Sequence, residues 1–134
     1  MAVRLRYRAA VRKGGEMADA ALFIGWGSPV RGREAKALEV FGESVAYWSG
    51  LEADGSVESV QTFILEPHGG DLAGFTLLSG DVEKLQTVRQ SEEFQRILIR
   101  AGLIVENLGL VNATTGDALA TAMGSFGEEV AELT

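Results

Sequence analysis

Ala20-Ala21-Leu22-Phe23-Ile24-Gly25-Trp26 is the stretch that decides the fold. It is a near-continuous apolar run that ends at the breaker cluster Gly27-Ser28-Pro29. Its length and its bulky residues fit a strand. Leu22, Ile24 and Trp26 alternate with Ala21, Phe23 and Gly25, so neither side reads as a solvent face. A strand apolar on both sides needs a cover on both sides.

The flanking sequence supplies the other elements. From Arg33 to about Gly50, Leu38, Phe41, Val45 and Trp48 recur at helical spacing, which predicts a helix with those four on its inner face and Gly50 as its stop. Glu52-Ala53-Asp54-Gly55 is a turn. Val57–Glu66 and Leu72–Ser79 read as strands, paired as a hairpin across a loop of about five residues that contains Pro67-His68-Gly69-Gly70-Asp71. Asp81 N-caps a short helix carrying Val82, Leu85 and Val88, and Ser91 caps a second segment carrying Phe94, Ile97, Leu98 and Ala101. Gly102 stops that segment. Leu103–Asn112 supplies a fourth strand, its first residue left open. Asp117 caps a last helix, along which Leu119, Met123, Phe126, Val130 and Leu133 form a heptad-like seam.

The order β-α-β-β-α-β with one trailing helix is that of an α+β, ferredoxin-like sandwich, helices covering one face of an antiparallel sheet. In a lone chain the other face would meet water and alternate with polar residues. Here both faces are largely apolar: Val60, Thr62 and Ile64 alternate with Gln61, Phe63 and Leu65, Phe75 and Leu77 with Thr76 and Leu78, and Leu108 and Leu110 with Gly109 and Val111. An apolar face spanning four strands exceeds what a soluble monomer normally exposes, so it needs a cover: the trailing helix folded back over part of it, or a second copy packed sheet to sheet, which is the preferred reading and makes the chain a homodimer.

On this element order, on Ala21-Leu22-Phe23-Ile24-Gly25-Trp26 and on Ser91-Glu92-Glu93-Phe94, the region Ala20–Ala113 resembles the dimeric α/β-barrel superfamily. That group includes antibiotic-biosynthesis-type monooxygenases, muconolactone-isomerase-like proteins and YCII-related proteins. The resemblance implies a pair of chains closing a barrel and a small apolar cavity. It implies no single reaction.

Composition narrows the chemistry. The chain has 134 residues, enough for one domain, and no cysteine, which removes disulfides, thiolate metal sites and a cysteine nucleophile. A single histidine removes any site built on two imidazoles, and no metal or cofactor is called for. The net charge of −7 argues against nucleic acid as a partner. No run of apolar residues is long enough for a membrane span.

Residues 1–16 stand apart, with Arg4, Arg6, Arg8, Arg12 and Lys13 against Glu16 alone. Three readings fit: a basic arm, an organellar transit peptide, or a translated leader preceding a start at Met17. The third is preferred, because Lys13-Gly14-Gly15-Glu16-Met17 can be encoded by a purine-rich, ribosome-binding-like run ahead of ATG, as in a bacterial message. The domain is then residues 17–134, and with no secretory h-region a cytoplasmic location is expected. Against it, Val3, Leu5 and Tyr7 alternate with arginines as a strand would.

Candidate site residues are few, and each has a plainer reading. His68 titrates near neutrality without help and is the candidate catalytic acid/base; otherwise it is a solvated loop residue. Trp26 ends the first strand, where it rims a cavity or fills the core. Tyr47 points to a pocket or to water. Gln61 and Asn107 are polar residues in apolar stretches and are candidate ligand contacts, or solvated positions at a strand edge. Gly25-Trp26-Gly27-Ser28-Pro29-Val30 begins like a dinucleotide-binding turn but fails at Val30, and Pro29 removes a backbone donor. The leading expectation is a protein that holds a small, mostly apolar ligand. The alternative is a cofactor-independent monooxygenase or isomerase acting on an aromatic or polyketide-like molecule. A haem-degrading relative would need its histidine on a helix, which His68 is not.

Overall fold

The computed structural model describes residues 18–134; the basic segment 1–16 and Met17 lie outside them. The elements are β1 (Ala20–Trp26), α1 (Glu34–Ala53), β2 (Ser59–Ile64), β3 (Gly74–Gly80), α2 (Val82–Gln90), α3 (Glu92–Gly102), β4 (Gly109–Thr114) and α4 (Gly116–Leu133). The sheet order is β2-β3-β1-β4 and every neighbouring pair is antiparallel. This is the ferredoxin-like α+β fold.

The register makes the two faces explicit. Leu22 lies opposite Leu78 and Asn112, and Leu78 lies opposite Val60. Leu22, Ile24 and Leu78 pack with Trp48 and Leu51 of α1, Leu85 and Val88 of α2, and Phe94 of α3 to form the main core. On the other face Phe23 stacks on Phe75 with ring centroids 5.1 Å apart, and Phe75 stacks on Phe63 at 4.8 Å. Gly25 makes room for this row, since a Cβ there would fall 2.7 Å from Cε1 of Phe23. No helix among the described residues covers this face: Phe63 is 41% exposed and Val111 55%. That β1 and β3 are apolar on both sides is therefore a property of this sheet.

Both interior helix caps follow the sequence. The Asp81 carboxylate accepts from the Lys84 N–H at 3.0 Å, and the Ser91 hydroxyl accepts from the Phe94 N–H at 3.2 Å while donating to the Val88 carbonyl at 2.8 Å.

Four local expectations are corrected. First, α1 runs through Gly50 to Ala53, because the turn forms at Asp54, whose carboxylate accepts the Ser56 N–H. Second, its buried positions are Ala37, Val40, Trp48 and Leu51, leaving Leu38 76% exposed and Phe41 and Val45 each 38%. The helix is apolar over a wider arc than the sheet covers. Third, β4 begins only at Gly109, since the chain from Leu103 to Glu106 is taken up by backbone pairing with the β1–α1 loop: Val30 donates to Ile104, Gly27 to Glu106, and Glu106 to Ser28. Fourth, α4 starts at Gly116 with Thr115 at the cap position and no side-chain cap bond, so Asp117 is a first-turn acid instead.

The trailing helix is the exception to the packing. It buries no residue, and Met123, Phe126, Val130 and Leu133 are 40%, 64%, 45% and 84% exposed. Gly124 and Gly127 each weaken it by about 1 kcal/mol relative to alanine, and an isolated helix of this length is marginal in water. No helix among the described residues is long and apolar enough to cross a membrane.

Candidate functional site

Between the sheet and the helices α1 and α3 lies a cavity of about 550 Å³. Its sheet wall is Ile24, Trp26 and Thr76, its α1 wall includes Val40, Phe41, Ser44 and Trp48, and its α3 wall is Ile97, Leu98 and Ala101. Ile104, Val105 and Leu108 complete it from the loop before β4. The antiparallel β1–β3 register sets Trp26 opposite Gly74. Gly74 admits the indole, because a Cβ there would lie 2.7 Å from Cζ2 of Trp26. Phe41 then closes on the same indole edge to face, with centroids 6.1 Å apart. Leu38 and Ile64, 76% and 68% exposed, form an apolar lip.

Three polar side chains reach the lining. Thr76, 2% exposed, shares its hydroxyl with that of Thr62 at 3.0 Å. The Ser44 hydroxyl donates to the Val40 carbonyl at 2.7 Å. Both hydroxyls are thus engaged within the protein. Glu34, in the exposed first turn of α1, is the lining's ionisable group. The lining is almost wholly apolar and offers little that could activate a bound molecule. Among the described residues no group of three or more histidines, cysteines or carboxylates is placed to hold a metal.

Of the residues singled out in the sequence, Trp26 lines this cavity and the other four do not. His68 is exposed in the β2–β3 loop, its Nε2 2.9 Å from the Leu72 carbonyl and its Nδ1 accepting the Gly70 N–H at 3.2 Å. Both bonds fit the tautomer protonated at Nε2, and both brace the loop. Tyr47 lies beside the main core with its hydroxyl 3.4 Å from that of Ser91. Gln61 is exposed on the helix-free face opposite Leu77. Asn107 is exposed in the loop before β4 with φ of 55°, a left-handed conformation that asparagine tolerates well. Sequence reasoning missed Phe41, Leu38 and Ile64 as cavity residues. The available signal was the excess width of the apolar arc on α1, wider than one sheet face needs.

No protein-family model matches the sequence, and no curated protein matches it. Solved structures do share the fold. A dimeric ferredoxin-like protein of unknown function from Jannaschia sp. CCS1 is 13% identical with a TM-score of 0.55, over 72% of this chain and 98% of that one. Another from Thermobifida fusca YX is 9% identical with a TM-score of 0.53, over 77% and 97%. A third, from Bacteroides fragilis NCTC 9343, is 11% identical with a TM-score of 0.52, over 71% and 95%. At such identities the likeness is one of fold. Each neighbour is almost fully covered, while about a quarter of this chain has no counterpart.

Proposed function

We propose that this chain acts as a homodimer, two sheets packed face to face, that holds a small and mostly apolar ligand in the cavity between sheet and helices. The carrying observation is the cavity. Its volume of about 550 Å³ falls within the roughly 300–1,000 Å³ typical of ligand pockets, and its walls are aromatic and aliphatic. Support for pairing comes from the uncovered row Phe23, Phe75 and Phe63, and from fold neighbours that are themselves dimeric. Proton transfer by His68, as an isomerase or monooxygenase would require, draws no support from the cavity, because His68 lies outside its lining.

The test is a titration of naphthalene, anthraquinone and decanol, followed by tryptophan fluorescence and by melting temperature. At a hundredfold excess over Kd a bound ligand stabilises the fold by about 2.7 kcal/mol, a shift of several degrees. Anthraquinone is expected to quench the emission of Trp26 and Trp48, which both line the cavity, and the Trp26→Phe variant to lose the Trp26 share of that quench. If none of the three probes moves either signal, the ligand-holding reading fails.

A further inference from the structure

Besides the aromatic row of the sheet, two apolar helix surfaces are left uncovered among the described residues, and they match one another. One is the seam of α4, where Leu133, Val130 and Phe126 are 84%, 45% and 64% exposed. The other is the outer arc of α1, where Leu38, Phe41 and Val45 are 76%, 38% and 38% exposed. Read along α1, the stripe advances by three and then four residues, and the seam read backwards along α4 does the same. Helices so patterned interdigitate when laid antiparallel. Charge selects that direction. α4 carries Glu128, Glu129 and Glu132 near its end and no basic residue, whereas α1 is entered through Arg31 and Arg33 and carries Lys36 in its first turn. Antiparallel docking sets the acidic end beside the basic one and beside the positive pole of α1. Parallel docking would set it beside Glu52 and Asp54. Within α1 Lys36 is already paired with Glu39, and Glu43 is paired with Arg100, so it is Arg31, Arg33 and the positive pole, beside Glu34, that the acidic end would meet. Two α4 helices laid on each other would bring like charges together with no cation to offset them.

Leu38 is also part of the lip of the cavity, and Phe41 part of its α1 wall. Resting on the paired assembly proposed above, we propose that α4 crosses to the second copy and lies antiparallel along its α1, so that Val130 and Leu133 close the mouth of the other subunit's cavity. The ligand site is then complete only in the dimer.

The sequence contains no cysteine, so introduced thiols have no background. Full-length Leu38→Cys and Leu133→Cys chains carrying different tags are co-expressed and treated with a short bismaleimide, and the oligomeric state is read in parallel by sedimentation. The expected product is a covalent pair bearing both tags, absent when either variant is expressed alone and absent when Leu38→Cys is combined with Leu119→Cys. Dimers that yield no mixed-tag pair overturn the α4 docking and leave the paired assembly standing. Linkage of Leu133→Cys to itself overturns it in favour of α4 against α4, and linkage through Leu119→Cys overturns the antiparallel direction. Single chains in sedimentation overturn both this docking and the paired assembly.

Discussion

Phe41 of α1 meets Trp26 at the end of β1 edge to face, with ring centroids 6.1 Å apart and planes at 67°. The contact joins the helix layer to the sheet layer across the cavity wall. Such a pair contributes about 0.5–1.5 kcal/mol beyond the area it buries. Phe41→Ala is expected to lower unfolding free energy in urea by about 1–2 kcal/mol. It should also quicken anthraquinone release in stopped flow, because the wall beside Trp26 is opened.

Gly74 is the position that admits the indole. A methyl group there would fall 2.7 Å from both the Phe63 carbonyl oxygen and Cζ2 of Trp26. Gly74→Ala is expected to destabilise by about 1–3 kcal/mol, as overpacking does. The displaced indole should show a shifted emission maximum and a weaker ligand-induced quench. Unchanged emission would mean that Trp26 is not held by this contact.

Phe94 anchors the main core. It is fully buried and its ring lies 5.7 Å from that of Trp48. Phe94→Ala is expected to cost about 3–5 kcal/mol in chemical denaturation. Val82→Ala, at a position 57% exposed, should change stability by less than about 0.5 kcal/mol.

Asp54 closes the turn after α1. Hydrogen bonds from the Ser56 side chain and backbone hold its carboxyl below the ordinary aspartate value. A group whose pKa is lowered by folding stabilises the native state above its unfolded pKa and loses that contribution as pH falls through its folded pKa. Asp54→Asn should therefore melt below the unmodified protein at neutral pH, by a small margin for a fully exposed group. The two melting curves should converge in acid.

The sequence carried the fold further than the site. Strand periodicity in Ala20–Trp26, and caps at Asp81 and Ser91 whose side chains accept N–H bonds from the helices they open, are local signals, and local chemistry decided them. The late start of β4 was not legible, because Leu103–Glu106 is apolar enough for a strand yet is claimed by backbone bonds to Gly27, Ser28 and Val30, a long-range competition. Likewise Leu38, Phe41 and Val45 have the spacing of a core face. Only the placement of α1 on the sheet shows that Ala37, Val40 and Leu51 turn inward in their place, beside the expected Trp48. His68, Tyr47, Gln61 and Asn107 were chosen by residue type, and a cavity is defined by which side chains converge, which type alone does not reveal. Trp26 was found because a strand end has a fixed position in this fold.

The stacked row Phe23–Phe75–Phe63 carries the proposed pairing, since no helix among the described residues lies on this apolar sheet face. Sedimentation equilibrium at low micromolar concentration measures this directly. The expected result is a particle of twice the 14.3 kDa chain mass, with Phe75→Asp reduced to single chains that keep their far-UV circular dichroism. Single chains of the unmodified protein at that concentration would contradict it.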